Sequence, residues 1–304
     1  LKIVKSLKMP LVSCSNKKAK KEAVLGVYGS VENHREREEG ALVYPVYSRR
    51  SRGLSVGINL FPDHKVCPFD CPYCEVFPFK SKITFSPETM VRALTPALVQ
   101  AGKAGTPARD ICFSGNGEPT LSPWFLGALA EAARIRDELA PRADLVAITN
   151  GAGLLDQGVF SFLRDAARGP WGLKIWLKLD AGTEGWYREM NRSKIPFAAI
   201  LGKIRAFAGE APVIIQTMIC KVGGLPPPAQ EVEAWNAAVL GLVLDSAGTR
   251  DRGIQAVQIY GKARPAPEDP LSEALEEPFL QSRALSLTEH LKRAGRNIPV
   301  EVFP

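Results

Sequence analysis

Three cysteines fall within eight residues, in the run Cys67-Pro68-Phe69-Asp70-Cys71-Pro72-Tyr73-Cys74. Thiolates this close together serve metal or redox chemistry, and the chain's six cysteines argue against a disulfide framework. A closed structural zinc site takes four ligands, whereas a 4Fe-4S cubane held by three thiolates leaves one iron open to a small molecule. Three thiols with no fourth nearby therefore point to an open iron-sulfur centre, with Cys67, Cys71 and Cys74 as ligands. The competing readings are a zinc site completed by His64 or a distant cysteine, and coincidentally buried thiols. Cys14, Cys112 and Cys220 are scattered, and the last two sit in apolar runs where cysteine behaves as a small core residue.

A second set of residues lies late in successive apolar runs. These are Ser114-Gly115-Asn116-Gly117-Glu118, Thr149-Asn150-Gly151, Lys178 with Asp180, Gln216-Thr217, and Gln258 with Tyr260. In parallel α/β barrels the carboxyl ends of the strands form the active face, so these groups are expected around one site. Alternation along a strand puts Trp176, Lys178 and Asp180 on one face and Ile175, Leu177 and Leu179 on the other. The first set is expected in the barrel lumen. A buried lysine is costly unless paired, so Lys178 either bridges to Asp180 or binds a ligand carboxylate, and the two residues are the candidate catalytic pair.

Such a site needs a frame, and the hydrophobic pattern supplies one. Strand-like runs recur at 54–61, 110–114, 145–149, 173–180, 213–219 and 254–260, with helical stretches between most of them. A helix opens at Ser86-Pro87-Glu88, with a capping serine and proline at the first helical position. Alternating strands and helices imply a parallel sheet, and six β-α units in this length fit an open, partial (β/α)6 TIM-like barrel. The Pro-rich stretches Gly223-Gly224-Leu225-Pro226-Pro227-Pro228 and Arg264-Pro265-Ala266-Pro267 read as loops. Residues 281–294 read as a last helix and 298–303 as a final strand. The expected organisation is an N-terminal extension over 1–45 with one short strand at 25–31, a core over 46–265, and a C-terminal extension over 266–304.

The formal charge of +7 is unevenly placed: residues 1–66 hold 13 Lys+Arg against 6 Asp+Glu, and the remainder is balanced at 26 against 26. Lys17-Lys18-Ala19-Lys20-Lys21 and Arg49-Arg50-Ser51-Arg52 supply most of the excess. Runs of this kind are usually solvated, though they can meet phosphate. No apolar run reaches the length of a membrane span, and the start lacks a signal-peptide core, so a cytoplasmic location is expected.

At the cysteine run the sequence resembles the radical S-adenosylmethionine (SAM) superfamily, whose signature is this spacing with an aromatic, here Tyr73, before the last cysteine. The resemblance implies a 4Fe-4S cluster and SAM as cofactors, with Tyr73 by the adenine. It also implies reductive cleavage of SAM to methionine and a 5′-deoxyadenosyl radical that abstracts a substrate hydrogen. Phe113-Ser114-Gly115-Asn116-Gly117-Glu118-Pro119-Thr120 is similar to the family's glycine-glycine-glutamate strand end, where backbone and Glu118 hold the SAM ammonium. Thr149-Asn150-Gly151 and Lys178-Leu179-Asp180-Ala181 resemble its third- and fourth-strand segments, and Gln216 joins the implied cofactor contacts. Together with Tyr47-Ser48-Arg49-Arg50 and Leu54-Ser55-Val56-Gly57-Ile58-Asn59-Leu60, these segments resemble the branch holding the archaeal wyosine-tRNA synthases. Those enzymes carry further N-terminal cysteines, and here only Cys14 precedes the motif. The expected substrate is therefore a small molecule or peptide, with a tRNA base as the second reading and a reductant such as flavodoxin or ferredoxin as partner. A noncatalytic iron-sulfur or zinc-binding module is the reading from another class.

Overall fold

A computed structural model of the chain describes residues 41–304 apart from 77, 247–250, 265, 267, 268 and 270. Cys14, the basic run at 17–21 and the strand expected at 25–31 lie outside the described residues.

Eight strands form one sheet in sequential order. β1 (Val43–Ser48) and β2 (Gly53–Ile58) make an antiparallel hairpin. From β2 onward every neighbour is parallel: β3 (Asp110–Phe113), β4 (Asp144–Thr149), β5 (Lys174–Lys178), β6 (Pro212–Ile219), β7 (Gly253–Gly261) and β8 (Val300–Phe303). Parallel neighbours need crossovers, here made by α1 (Pro87–Lys103), α2 (Phe125–Leu139), α3 (Gln157–Arg168), α4 (Glu184–Asn191) with α5 (Phe197–Glu210), α6 (Ala229–Asp245) and α7 (Glu277–Arg293). The sheet curls far enough for Arg52 in the hairpin turn to reach Glu301 on β8, at 2.9 Å. This is the expected partial barrel of six β-α units, with two differences. The strand β1 runs through the boundary expected at residue 45, and the C-terminal segment continues the sheet, because β8 pairs with β7.

Local sequence explains the elements. Ser86 caps α1 by accepting from the Thr89 amide at 3.2 Å, Thr89 Oγ1 accepts from the Ser86 amide at 3.0 Å, and Pro87 stands where no amide donor is needed. Met90, Leu94, Leu98 and Ala101 then form its buried stripe. Strand alternation sorts the interior in two. Val56, Ile58, Ile111, Phe113, Leu145, Ala147, Ile175, Leu177, Val213 and Ile215 face the helices and are buried in the main core. Cys112, Val146 and Trp176 form a separate buried cluster inside the curl, with Ile148 and Ile214 against it. Register then sets the depth of the lumen groups: Lys178, Gln216, Gln258 and Glu301 stand opposite one another on β5 to β8.

Candidate active site

The cysteine loop leaves β2 and is fastened to the end of β3 by backbone. Val66 donates its amide to Asn116 O at 3.3 Å and accepts from the Glu118 amide at 2.8 Å, forming a short parallel bridge at Gly117. A Cβ on Gly117 would stand 2.2 Å from Val66 O and 2.7 Å from the Phe61 ring. Glycine at 117 thus admits the close approach of the chain's own cysteine loop. Gly115 has a φ of +124°, and a Cβ there would press on Asn59. Asn59 Oδ1 accepts from the amides of Phe61 and Asn116, both at 3.1 Å, and so sets where the loop departs. We expect Gly117→Ala to cost about 1–3 kcal/mol, since the overlap is with backbone rather than a flexible side chain. It should lower the thermal midpoint and the iron retained per chain together; a variant with wild-type melting and iron would show that the bridge does not hold the loop.

The thiols are free, and two of them are tied through an asparagine to a buried carboxylate. Asn150 Nδ2 donates to Cys67 Sγ at 3.5 Å while the Asn150 amide donates to Glu118 Oε2 at 2.7 Å. Asn191 Nδ2 lies 3.6 Å from Cys71 Sγ and 3.1 Å from Asp180 Oδ2. The Cys74 thiol points to Val76 O at 3.7 Å. Burial pushes the Cys67 thiol up to about 12, with Glu118 and the other two cysteines adding to it. The Cys71 thiol rises to about 11, first through burial and then through Asp180. Both need a bound cation to ionise, as thiolate ligands do. Three thiols on one loop, two of them facing amide donors, form a donor set that fits an iron-sulfur cluster, whose sulfurs are tuned by N–H contacts. Among the described residues no three His, Cys, Asp or Glu side chains are grouped to hold a single metal ion. His64, the proposed fourth zinc ligand, instead pairs with Asp63 at 2.8 Å and is largely exposed.

Glu118 is 3% exposed. Its Oε1 accepts from the Thr120 amide, from Thr120 Oγ1 and from Thr149 Oγ1, at 3.2, 2.6 and 2.7 Å. Burial raises its pKa and these donors pull it back down, leaving it above the ordinary carboxylate value. Its observed partners are therefore Thr120, Thr149 and Asn150.

The lumen groups meet as alternation requires. Lys178 Nζ lies 3.1 Å from Asp180 Oδ1, with their side chains 14% and 0% exposed. Asp180 also accepts from the Met218 amide at 2.8 Å and from Tyr73 OH at 2.5 Å. Lys178 contacts the Tyr260 hydroxyl and lies over the Tyr73 ring, 4.8 Å from its centroid. Burial opposes its charge, but Asp180 and Tyr260 outweigh that and raise its pKa. Gln216 Nε2 donates to Gln258 Oε1 at 2.7 Å. Ser114 Oγ pairs with Tyr44 OH at 2.8 Å. Cys112 lies in the lumen cluster, and Cys220 packs with Met190, Met218 and Val222, a cluster that Tyr73 and Tyr260 flank.

Tyr73, Lys178, Asp180, Cys71 and Asn191 thus form one connected set, and Cys67, Asn150, Glu118 and Thr149 a second. Sequence reasoning missed Asn59 and Asn191. Asn59 is a polar residue inside the apolar run 54–61, directly after β2 stops at Ile58, and was legible on that ground. Asn191 ends a short helix 120 residues from Cys71, and no local pattern marks it.

No family model matches the chain. A stretch of 86 residues is 37% identical to the UPF0026 protein of Helicobacter pylori strain ATCC 700392 / 26695, and this stretch spans 27% of the chain and 27% of that relative. Two solved structures share the fold. Streptococcus suis SuiB bound to S-adenosylmethionine aligns with a TM-score of 0.59 at 12% identity, over 84% of this chain and 52% of that one. A radical SAM methyltransferase from Sphaerobacter thermophilus aligns with a TM-score of 0.58 at 16% identity, over 86% of this chain and 68% of that one.

Proposed function

From the radical SAM fold it shares with these structures, we propose that this chain is a radical SAM enzyme, with Cys67, Cys71 and Cys74 holding a 4Fe-4S cluster. The observation that carries the reading is the three free thiols beside β2, two of them facing amide donors that buried carboxylates hold in place. Cys67, Cys71 and Cys74 would hold the cluster, and the chemistry it would supply when bound is one-electron reduction of SAM for removal of a substrate hydrogen. The chain's own residues set the stage. Asn150 and Asn191 aim N–H groups at two sulfurs, which favours their negative charge. Glu118 acts as a positioning residue, holding Thr149 and Asn150 at the end of β4. Tyr73 offers a ring face to SAM while its hydroxyl stays fixed on Asp180. Ser114, Gly115, Asn116 and Gly117 line the strand end that faces the cofactor. Trp176, Val146 and Cys112 close the lumen floor to water.

The substrate is a small molecule or peptide reached through the lumen, and the electron comes from a reductant of the flavodoxin or ferredoxin kind. A tRNA base is the second reading, suggested by the basic N-terminal segment. Among the described residues no helix is long and apolar enough to cross a membrane.

The test is anaerobic reconstitution with iron and sulfide, then dithionite and SAM. Equal amounts of methionine and 5′-deoxyadenosine are expected. A reconstituted protein that binds iron yet cleaves no SAM, alone or with small RNA or cell extract, would overturn the enzyme reading.

A further inference from the structure

A hairpin turn reading Arg49-Arg50-Ser51-Arg52 would ordinarily hold its charges in solvent. Arg52 does so, pairing with Glu301 at the surface. Arg50 instead turns into the lumen. Its Nη1 donates to Gln216 Oε1 at 3.0 Å, and its guanidinium lies 4.7 Å from the Tyr260 ring centroid and 5.6 Å from that of Trp176. Gln216 spends its amide donor on Gln258, which keeps its oxygen toward Arg50. Arg49 follows onto the wall of the same cavity, and its side chain makes no hydrogen bond or ion pair among the described residues.

That cavity, of about 310 Å³, is lined by Tyr73 and Cys74 of the cysteine loop as well as by the arginines. Among the described residues its walls carry Arg49, Arg50 and Arg264 but a single carboxylate, Glu75, which Arg264 holds at 2.6 Å. Lys178 is already matched by Asp180, and Asp110 is turned onto Ser55 at 2.5 Å. Two guanidinium charges therefore share a half-buried wall with no ion pair of their own among the described residues, and only Glu75 and Asp110, each bonded elsewhere, act on them from a distance. Burial, then Arg50, then Arg264 lower the pKa of Arg49, and Glu75 offsets only part of that crowding. An excess of this kind is relieved when an anion arrives, and planar guanidinium forks suit two-oxygen acceptors.

We infer that the substrate of this cavity carries an oxyanion, a carboxylate or a phosphate, which Arg49 and Arg50 bind. Naming the ligand a substrate rests on the radical SAM reading; the anion subsite rests on the arginines alone. Gln216 and the rings of Trp176 and Tyr260 hold Arg50 in place, so that it meets the ligand already oriented.

The test is calorimetric titration of the full-length chain with inorganic pyrophosphate, malonate and neutral malonamide, with SAM titrated in parallel. Pyrophosphate or malonate is expected to bind at one site per chain, the tighter of the two telling phosphate from carboxylate, and malonamide is expected not to bind. Arg49→Gln and Arg50→Gln should each weaken the anion by about tenfold or more, the loss of a charged hydrogen bond. Arg50→Lys should fall between, having kept the charge and lost the fork. Arg49→Gln removes no side-chain bond among the described residues, so it keeps the test open if an Arg50 variant misfolds. Equal binding by the variants, or no anion binding by the wild type, overturns the inference. So does an equal loss of SAM affinity, which gives the arginines to the SAM carboxylate, and so does a short single-stranded RNA that displaces pyrophosphate more tightly than malonate does. If reconstituted wild type cleaves no SAM yet binds the anion, the enzyme reading fails and the subsite stands; the reverse result removes the subsite alone.

Discussion

Replacing any one of Cys67, Cys71 or Cys74 by Ala is expected to drop the iron of anaerobically purified protein from about four per chain to near zero. Each thiolate fills one corner of the proposed cubane, and the loop offers no substitute: Asp70 is exposed and His64 is committed to Asp63. Cys112→Ala and Cys220→Ala should leave the iron in place. Cys112 is packed with Val146 and Trp176, and Cys220 faces Ser272 at 3.6 Å. Iron analysis with visible absorption near the cluster bands decides it. About eight irons per chain, or iron lost with Cys112 or Cys220, would end the one-cluster assignment.

The second large effect is expected at Lys178. Lys178→Met removes the partner of a carboxylate whose side chain is fully buried. Breaking a buried pair costs about 3–5 kcal/mol, and Asp180 keeps donors from Met218, Asn191 and Tyr73, which places the loss near the lower figure. Lysine's raised pKa gives the sign of the pH dependence. The stabilisation is fully present below the ordinary lysine value of 10.5 and is lost as pH rises through the higher folded value. The gap between wild type and Lys178→Met in urea unfolding should therefore stay constant from about pH 6 to 9 and close only under strongly alkaline conditions. Where the variant is still folded and carries its cluster, 5′-deoxyadenosine formation should fall strongly, because Lys178 and Asp180 also orient the Tyr73 ring. Normal formation by the folded variant would leave the pair a structural ion pair only.

Much of this molecule follows from pattern within short stretches of sequence. Period-two alternation determined that Trp176, Lys178 and Asp180 share the lumen while Ile175, Leu177 and Leu179 meet the helices, since adjacent side chains on a strand must point apart. The alternation of strands and helices likewise determined a parallel sheet, because parallel neighbours cannot be joined by a tight turn. The spacing of the three cysteines placed them on one loop next to a strand end.

Tertiary structure decided which groups meet across the curl. β1 was hidden because Tyr44, Pro45 and Tyr47 break the apolar signal of an edge strand, and it takes its place by pairing with β2. Asn191 reaches Cys71 and Asp180 only because α4 returns its last residue to the mouth of the barrel. Arg50 reads as a surface charge until sheet curvature brings Gln216, Tyr260 and Trp176 beneath it. Glu118 reads as a free ligand carboxylate until Thr149 and Asn150 on the next strand are placed against it. Outside the β1–β2 hairpin the deciding partner lies tens of residues away or more, and its distance is set by strand register and curl, which local periodicity does not encode.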